Sequence, residues 1–195
     1  MSASVSDSKE PFLQHPWTSS LLSQPNTTIR VPPSRVHKSN GEDTLFSTTL
    51  RTNGTLSSCL CIWPAPCPSD PAVPEITTLI YLGKELNGHP SILHGGITAT
   101  IIDECMGFLQ TANIEEERRK RGGEYEQLGS FTATLTVDYR KPIRTPGPVI
   151  VKSWYERRDG RKEWVNAEVQ QEQDGKVVVV AEGAALFVTP RSAKM

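Results

Sequence analysis

The sequence predicts an α+β fold in which one antiparallel sheet packs on a single long helix. Three observations carry this. Residues 94–112 repeat their apolar side chains at helical spacing, the last third of the chain alternates like strand after strand, and Pro- and Gly-rich breaks separate the segments. At 195 residues the chain fits one domain, long enough to bury roughly 70% of its unfolded surface.

Ten of the fifteen prolines precede Glu75. Residues 1–42 are polar, proline-interrupted and poor in apolar periodicity. The expectation is a partly disordered or docking arm, with Phe12, Leu13, Trp17, Leu21 and Leu22 able to form a short helix or cap. The main domain is expected over residues 43–189, followed by a tail at 190–195.

Within that domain residues 45–50 and 56–63 read as a hairpin, with Asn53-Gly54 supplying the positive φ of a tight turn. Proline at positions 64, 66 and 68 then breaks the chain, and EITTLIYL at 75–82 is a β-branched strand. The helix follows, and the charged block at 114–125, ending near Gly122-Gly123, reads as a solvated helix end and loop. Strands are expected at 130–139, 149–157, 164–171 and 176–188 as a four-stranded meander, with Asp174-Gly175 turning the last hairpin. About six strands would make the sheet.

Charge and composition exclude several classes. With 21 basic and 22 acidic residues the net charge is −1, so no general field attracts nucleic acid or an anionic membrane. No apolar run approaches the roughly 20 residues that span a bilayer. The first ten residues lack the apolar stretch of a secretory signal. The four cysteines, at 59, 61, 67 and 105, lack the C-x-x-C spacing of a zinc site or redox dithiol. The expectation is a cytoplasmic, reduced protein without a metal, so that Asn26-Thr27-Thr28 and Asn53-Gly54-Thr55 are not glycosylation sites.

The chemistry hangs on residues 87–109, NGHPSILHGGITATIIDECMGFL. On a helical wheel Ile97, Ile101, Cys105 and Phe108 share a face flanked by Thr98, Ile102 and Leu109. Asp103 falls about 60° beyond this stripe, taking 100° per residue, and borders the core. His94-Gly95-Gly96 stands at the helix start. There, glycines let a ligand approach the backbone, and free N–H groups with the positive dipole end suit an anion or a developing oxyanion.

The run L-H-G-G-x-x-A-T-x-x-D, residues 93–103, resembles the hotdog-fold acyl-CoA thioesterases, in particular the phenylacetate-type members of the thioesterase superfamily (4HBT). In that family H-G-G opens the central helix, and an acidic residue nine positions after the His is catalytic, here Asp103. The resemblance extends through T-x-x-L-x-V-x-Y-x-x-P, from Thr132 to Pro142, where a Ser or Thr seven residues before the Tyr assists. It implies a hotdog, an antiparallel sheet wrapped round one helix, that hydrolyses acyl thioesters. Asp103, Gly95, Thr132 and His94 would be the catalytic set, with no metal or redox cofactor. Gly96 would be a second backbone donor. An Asn before H-G-G helps hold water in some relatives, and the nearest here is Asn87.

Geometry adds an argument. Gly95 and Asp103 are eight residues apart, about 12 Å along a helix axis, whereas a nucleophile and the oxyanion donors must meet across one carbonyl, within roughly 3 Å of each. One helix cannot supply both, so either the motif is decorative or two chains pair; the resemblance implies the second, with the site shared in a homodimer or a dimer of dimers. The partner molecules are an acyl-CoA or acyl-carrier-protein substrate, and no nucleic acid or membrane. Lys141, Arg144 and the Arg157-Arg158 pair could meet CoA phosphates.

Two alternatives stay open. His89 precedes Asp103 by fourteen residues, a spacing that also resembles the 3-hydroxyacyl carrier-protein dehydratases, in which the His removes the α-proton. The other is a hotdog that binds acyl groups without hydrolysing them. Glu104 is the other candidate acid, one residue and 100° of helix away from Asp103.

Overall fold

The computed structural model describes residues 4–65, 72–123 and 129–191. The Cys67 thiol and the end of the charged block therefore lie outside the described residues. Two short helices open the chain, α1 (Val5–Leu13) and α2 (Pro16–Leu22), followed by β1 (Thr27–Arg30), β2 (Leu56–Pro64) and β3 (Glu75–Leu82). A small hairpin, β4 (Asn87–His89) and β5 (Ile92–Leu93), leads into the long helix α3 (Gly95–Lys120). The remaining strands are β6 (Phe131–Tyr139), β7 (Gly147–Asp159), β8 (Lys162–Gln173) and β9 (Lys176–Val188).

Seven strands form one antiparallel sheet in the order β1-β2-β3-β7-β8-β9-β6, wrapped around α3 in the hotdog arrangement. The reading of 131–188 as a simple meander is corrected. β7, β8 and β9 follow one another through hairpins, but β6 pairs with β9, and β7 pairs with β3. β6 and β7, consecutive in the chain, thus stand apart in the sheet with β8 and β9 between them. The Asp174-Gly175 turn does form, both residues taking the positive φ that a two-residue hairpin requires.

The expected strand at 45–50 is also corrected. Leu45–Thr49 is a π-helical turn. Phe46 and Leu50, four residues apart, bury together as on a helix. The carbonyls of Phe46, Leu50 and Leu56 accept from the buried Arg35 guanidinium at 2.9, 3.2 and 2.5 Å. That three-way bond satisfies backbone groups a ladder would otherwise take. Gly54 keeps a negative φ, and its turn joins the π-helical turn to β2. The edge partner of β2 is β1, from the segment expected as an arm.

The core has two faces. Ile101, Ile102, Cys105, Met106 and Leu109 of α3 pack on Ile76, Ile80, Leu82, Val149, Val151, Val165 and Val169 of the sheet. Gly183 on β9 permits this approach, because a Cβ there would stand 2.5 Å from Ile102 Cγ2. On the opposite face Leu60, Ile62, Leu79 and Ile150 meet Phe12 and Leu22, while Leu13 stays exposed. This explains the nearly unbroken apolar runs of β2 and β3, which are covered on both sides. No helix among the described residues is long and apolar enough to cross a membrane.

Candidate active site

α3 begins at Gly95 because His94 caps it. His94 has extended backbone angles, and its Nδ1 accepts from the Gly96 N–H at 3.0 Å. That bond occupies Gly96. The Gly95 N–H makes no hydrogen bond to the described residues and remains the open donor at the positive end of a 26-residue helix. Tyr139 lies over this end, its hydroxyl donating to the Gly95 carbonyl at 2.9 Å. A Cβ on Gly95 would come no nearer than 3.5 Å to Tyr139, an ordinary contact.

Eight residues along α3, Asp103 is partly exposed at the border of the buried stripe. Thr132 Oγ1 donates to its Oδ1 at 2.7 Å. β6 therefore spans both ends of the arrangement within one chain, with Thr132 at Asp103 and Tyr139 at Gly95. The two ends remain apart by about 12 Å of helix.

The other candidates divide. His89 and Lys141 line a surface pocket of about 370 Å³ together with Gly95, Tyr139 and Arg140. Arg144 forms a bidentate pair with Asp174 at 2.9 and 3.0 Å, at the β8–β9 turn. The Asn87 side-chain Oδ1 accepts from the Thr145 hydroxyl, which fixes the start of the β4–β5 hairpin. Glu104 turns away from Asp103 toward Ser34. Burial is the main cause that pushes its carboxyl up to about 7, helped by Asp43 and Asp103 and opposed by the Ser34 hydroxyl and Arg35. His89 and Asp103 are not brought together within one chain.

Residues 91–178 match the family model described as the thioesterase superfamily, 4HBT. That stretch is similar to the thioesterase superfamily. It contains Gly95, Asp103, Thr132 and Tyr139, and leaves α1, α2 and β1 to β4 outside the match. Acyl-coenzyme A thioesterase THEM4 of Xenopus laevis is 31% identical over 159 residues, 81% of this chain and 60% of that protein. Verlamelin biosynthesis protein B of a Lecanicillium species is 28% identical over 170 residues, covering 75% of this chain and 73% of that one. The solved PaaI protein of E. coli, from the phenylacetic acid degradation operon, aligns with a TM-score of 0.47 at 14% identity, over 60% of this chain and 73% of its own. The chain spans less than two thirds of the THEM4 relatives, 60% of the Xenopus laevis protein and 43% of that of Rattus norvegicus.

Among the described residues, no group of three or more His, Cys, Asp or Glu side chains is placed to hold a metal ion. Cys59, Cys61 and Cys105 are free and buried, and burial drives their thiols upward, Cys59 to about 12, which keeps them inert. Sequence reasoning missed Tyr139 as a contact of Gly95, although the T-x₆-Y spacing puts Thr132 and Tyr139 on one strand.

Proposed function

We propose that the protein hydrolyses acyl thioesters, and that two copies assemble each site. The observation that carries this reading is the Thr132–Asp103 hydrogen bond on a helix whose first N–H, at Gly95, is unpartnered among the described residues. The Gly95 N–H polarises the thioester carbonyl and holds the tetrahedral oxyanion, a donor type whose loss costs about 10²–10³ in rate. Asp103 of the partner copy activates water or attacks the carbonyl itself, and Thr132 orients that carboxylate. His94 positions the Gly95 turn.

The edge strand β6 supports a shared site. Its nine residues carry free backbone groups along one side, and Phe131 is 69% exposed. Edge-to-edge pairing there would bring one copy's helix start toward the other copy's Asp103. The pocket of His89 and Lys141 beside Gly95 suits the phosphates of CoA better than the Asp174-paired Arg144 does. The reading includes a cytoplasmic location, consistent with three free buried thiols.

The test is release of free thiol from acyl-CoA, trapped with a chromogenic disulfide. Asp103→Asn should lower the rate by about 10²–10⁴, in the range of a lost general base, with folding intact. Light scattering should return at least twice the chain mass. A turning-over monomer, or an unchanged rate in Asp103→Asn, would reject the shared-site mechanism, and loss of enoyl absorbance on hydration would point to the dehydratase instead.

A further inference from the structure

β6 reaches both ends of the arrangement because it carries one extra residue. Side chains seven apart on a regular strand point to opposite faces. Here the register with β9 slips: Thr132 pairs with Phe187 and Thr134 with Leu186, which leaves Ala133 as a bulge. Beyond the bulge Leu135 and Val137 pack on the core, and Tyr139 continues their face to Gly95. Before it, Thr132 is returned to that same side and meets Asp103. One strand therefore touches α3 at two points about 12 Å apart along its axis.

The Gly95 end needs such a contact. Gly95 and Gly96 bring no side chain to pin the first turn, and glycine samples backbone angles freely. Two bonds from outside supply the restraint. His94 Nδ1 accepts from the Gly96 N–H at 3.0 Å, and the Tyr139 hydroxyl donates to the Gly95 carbonyl at 2.9 Å. Both fall on one peptide unit, the one joining Gly95 to Gly96, which is thus gripped at its N–H and at its carbonyl. The open Gly95 N–H stands directly before that unit. A donor aimed at a developing oxyanion has to be held to within about 0.5 Å of its productive place.

Building on the shared-site reading, we propose that Tyr139 is the positioning residue of the oxyanion donor, and that each β6 strand serves two sites at once. Its Tyr139 sets the Gly95 N–H of one site, and its Thr132 sets the Asp103 carboxylate of the other. Tyr139 acts through Gly95, so its hydroxyl counts when the oxyanion forms rather than when the thioester binds.

Tyr139→Phe keeps the ring against Gly95 and removes only the donor. Its kcat for acyl-CoA should fall about three- to tenfold, the range of one uncharged hydrogen bond, with KM unchanged. Mixed dimers of the full chain, co-expressed with two different tags and isolated through both, assign that loss to a site. Gly95→Ala paired with Asp103→Asn tests the shared site itself. That pair should regain about half the parent rate, since one of its two sites carries neither defect. Tyr139→Phe paired with Thr132→Val should regain the same half. Tyr139→Phe paired with Gly95→Ala should stay at the mean of its two homodimers, because each site then keeps one defect. Recovery in the first pair without recovery in the second would overturn the role of Tyr139 and leave the shared site standing. An unchanged kcat in Tyr139→Phe would overturn that role equally. No recovery in the first pair would reject the shared site, and the divided service of β6 with it.

Discussion

Thr132 on β6 donates to Asp103 Oδ1 on α3 at 2.7 Å, across 29 positions of the chain. A carboxylate at a helix border can rotate freely, and one hydroxyl bond to one oxygen stops that rotation while leaving the other oxygen free. The contact thus joins an edge strand and the central helix at the point where the chemistry is proposed.

Removing the Thr132 hydroxyl should cost roughly the 1.5–3 kcal/mol of a hydrogen bond to a charged group, or about 10- to 100-fold in rate. Thr132→Val keeps the volume and should show that loss in kcat. Thr132→Ser restores the donor and should recover most of the activity in the same thiol-release assay.

Gly95→Ala and Gly96→Ala should part company. At Gly95 a methyl meets only ordinary contacts with Tyr139, so thermal unfolding should stay at or slightly above the parent value while hydrolysis falls by about tenfold or more through exclusion of the carbonyl. At Gly96 the methyl would stand 3.1 Å from His94 Nδ1 and strain the cap. That variant should lose stability as well, by about 1 kcal/mol.

Glu104 imposes a pH dependence on folding. Its carboxyl titrates at about 7 in the folded chain against 4.5 ordinarily. Between those values the folded state holds a proton that the unfolded state has released, so the contribution of Glu104 to stability is fully present below about pH 4.5 and is lost as pH rises through 7. A shift of this size corresponds to about 3 kcal/mol. Glu104→Gln should flatten that part of the profile and be more stable than the parent at about pH 8, measured by urea unfolding across pH.

Arg35→Met should destabilise by about 3 kcal/mol or more, because the Phe46, Leu50 and Leu56 carbonyls lose one shared donor. Arg35→Lys should recover only part of this, since one ammonium cannot reproduce the fork. Unfolding in urea measures both.

Local pattern revealed what depends on local pattern. The stripe through Ile101, Cys105 and Phe108 fixed which side of α3 is buried, and the motif around Thr132 singled out the partner of Asp103, whereas the contact of Tyr139 with Gly95 was missed. The pairing of β6 with β9 was not legible, since nothing in either strand names its neighbour. Residues 45–49 looked like a strand because their π-helical turn is held by Arg35, which lies ten or more positions away.

The helices that lie on the outer face of β2, β3 and β7 decide whether the protein can stay in solution. A version begun at residue 25 would keep every side chain assigned to hydrolysis, together with β1 and Arg35. Yet it would lay bare what Phe12 and Leu22 cover: Leu60, Ile62, Leu79 and Ile150. Apolar patches of that kind drive self-association. Precipitation of such a fragment would report a missing cover on a greasy sheet, and adding back residues 1–24 should restore solubility.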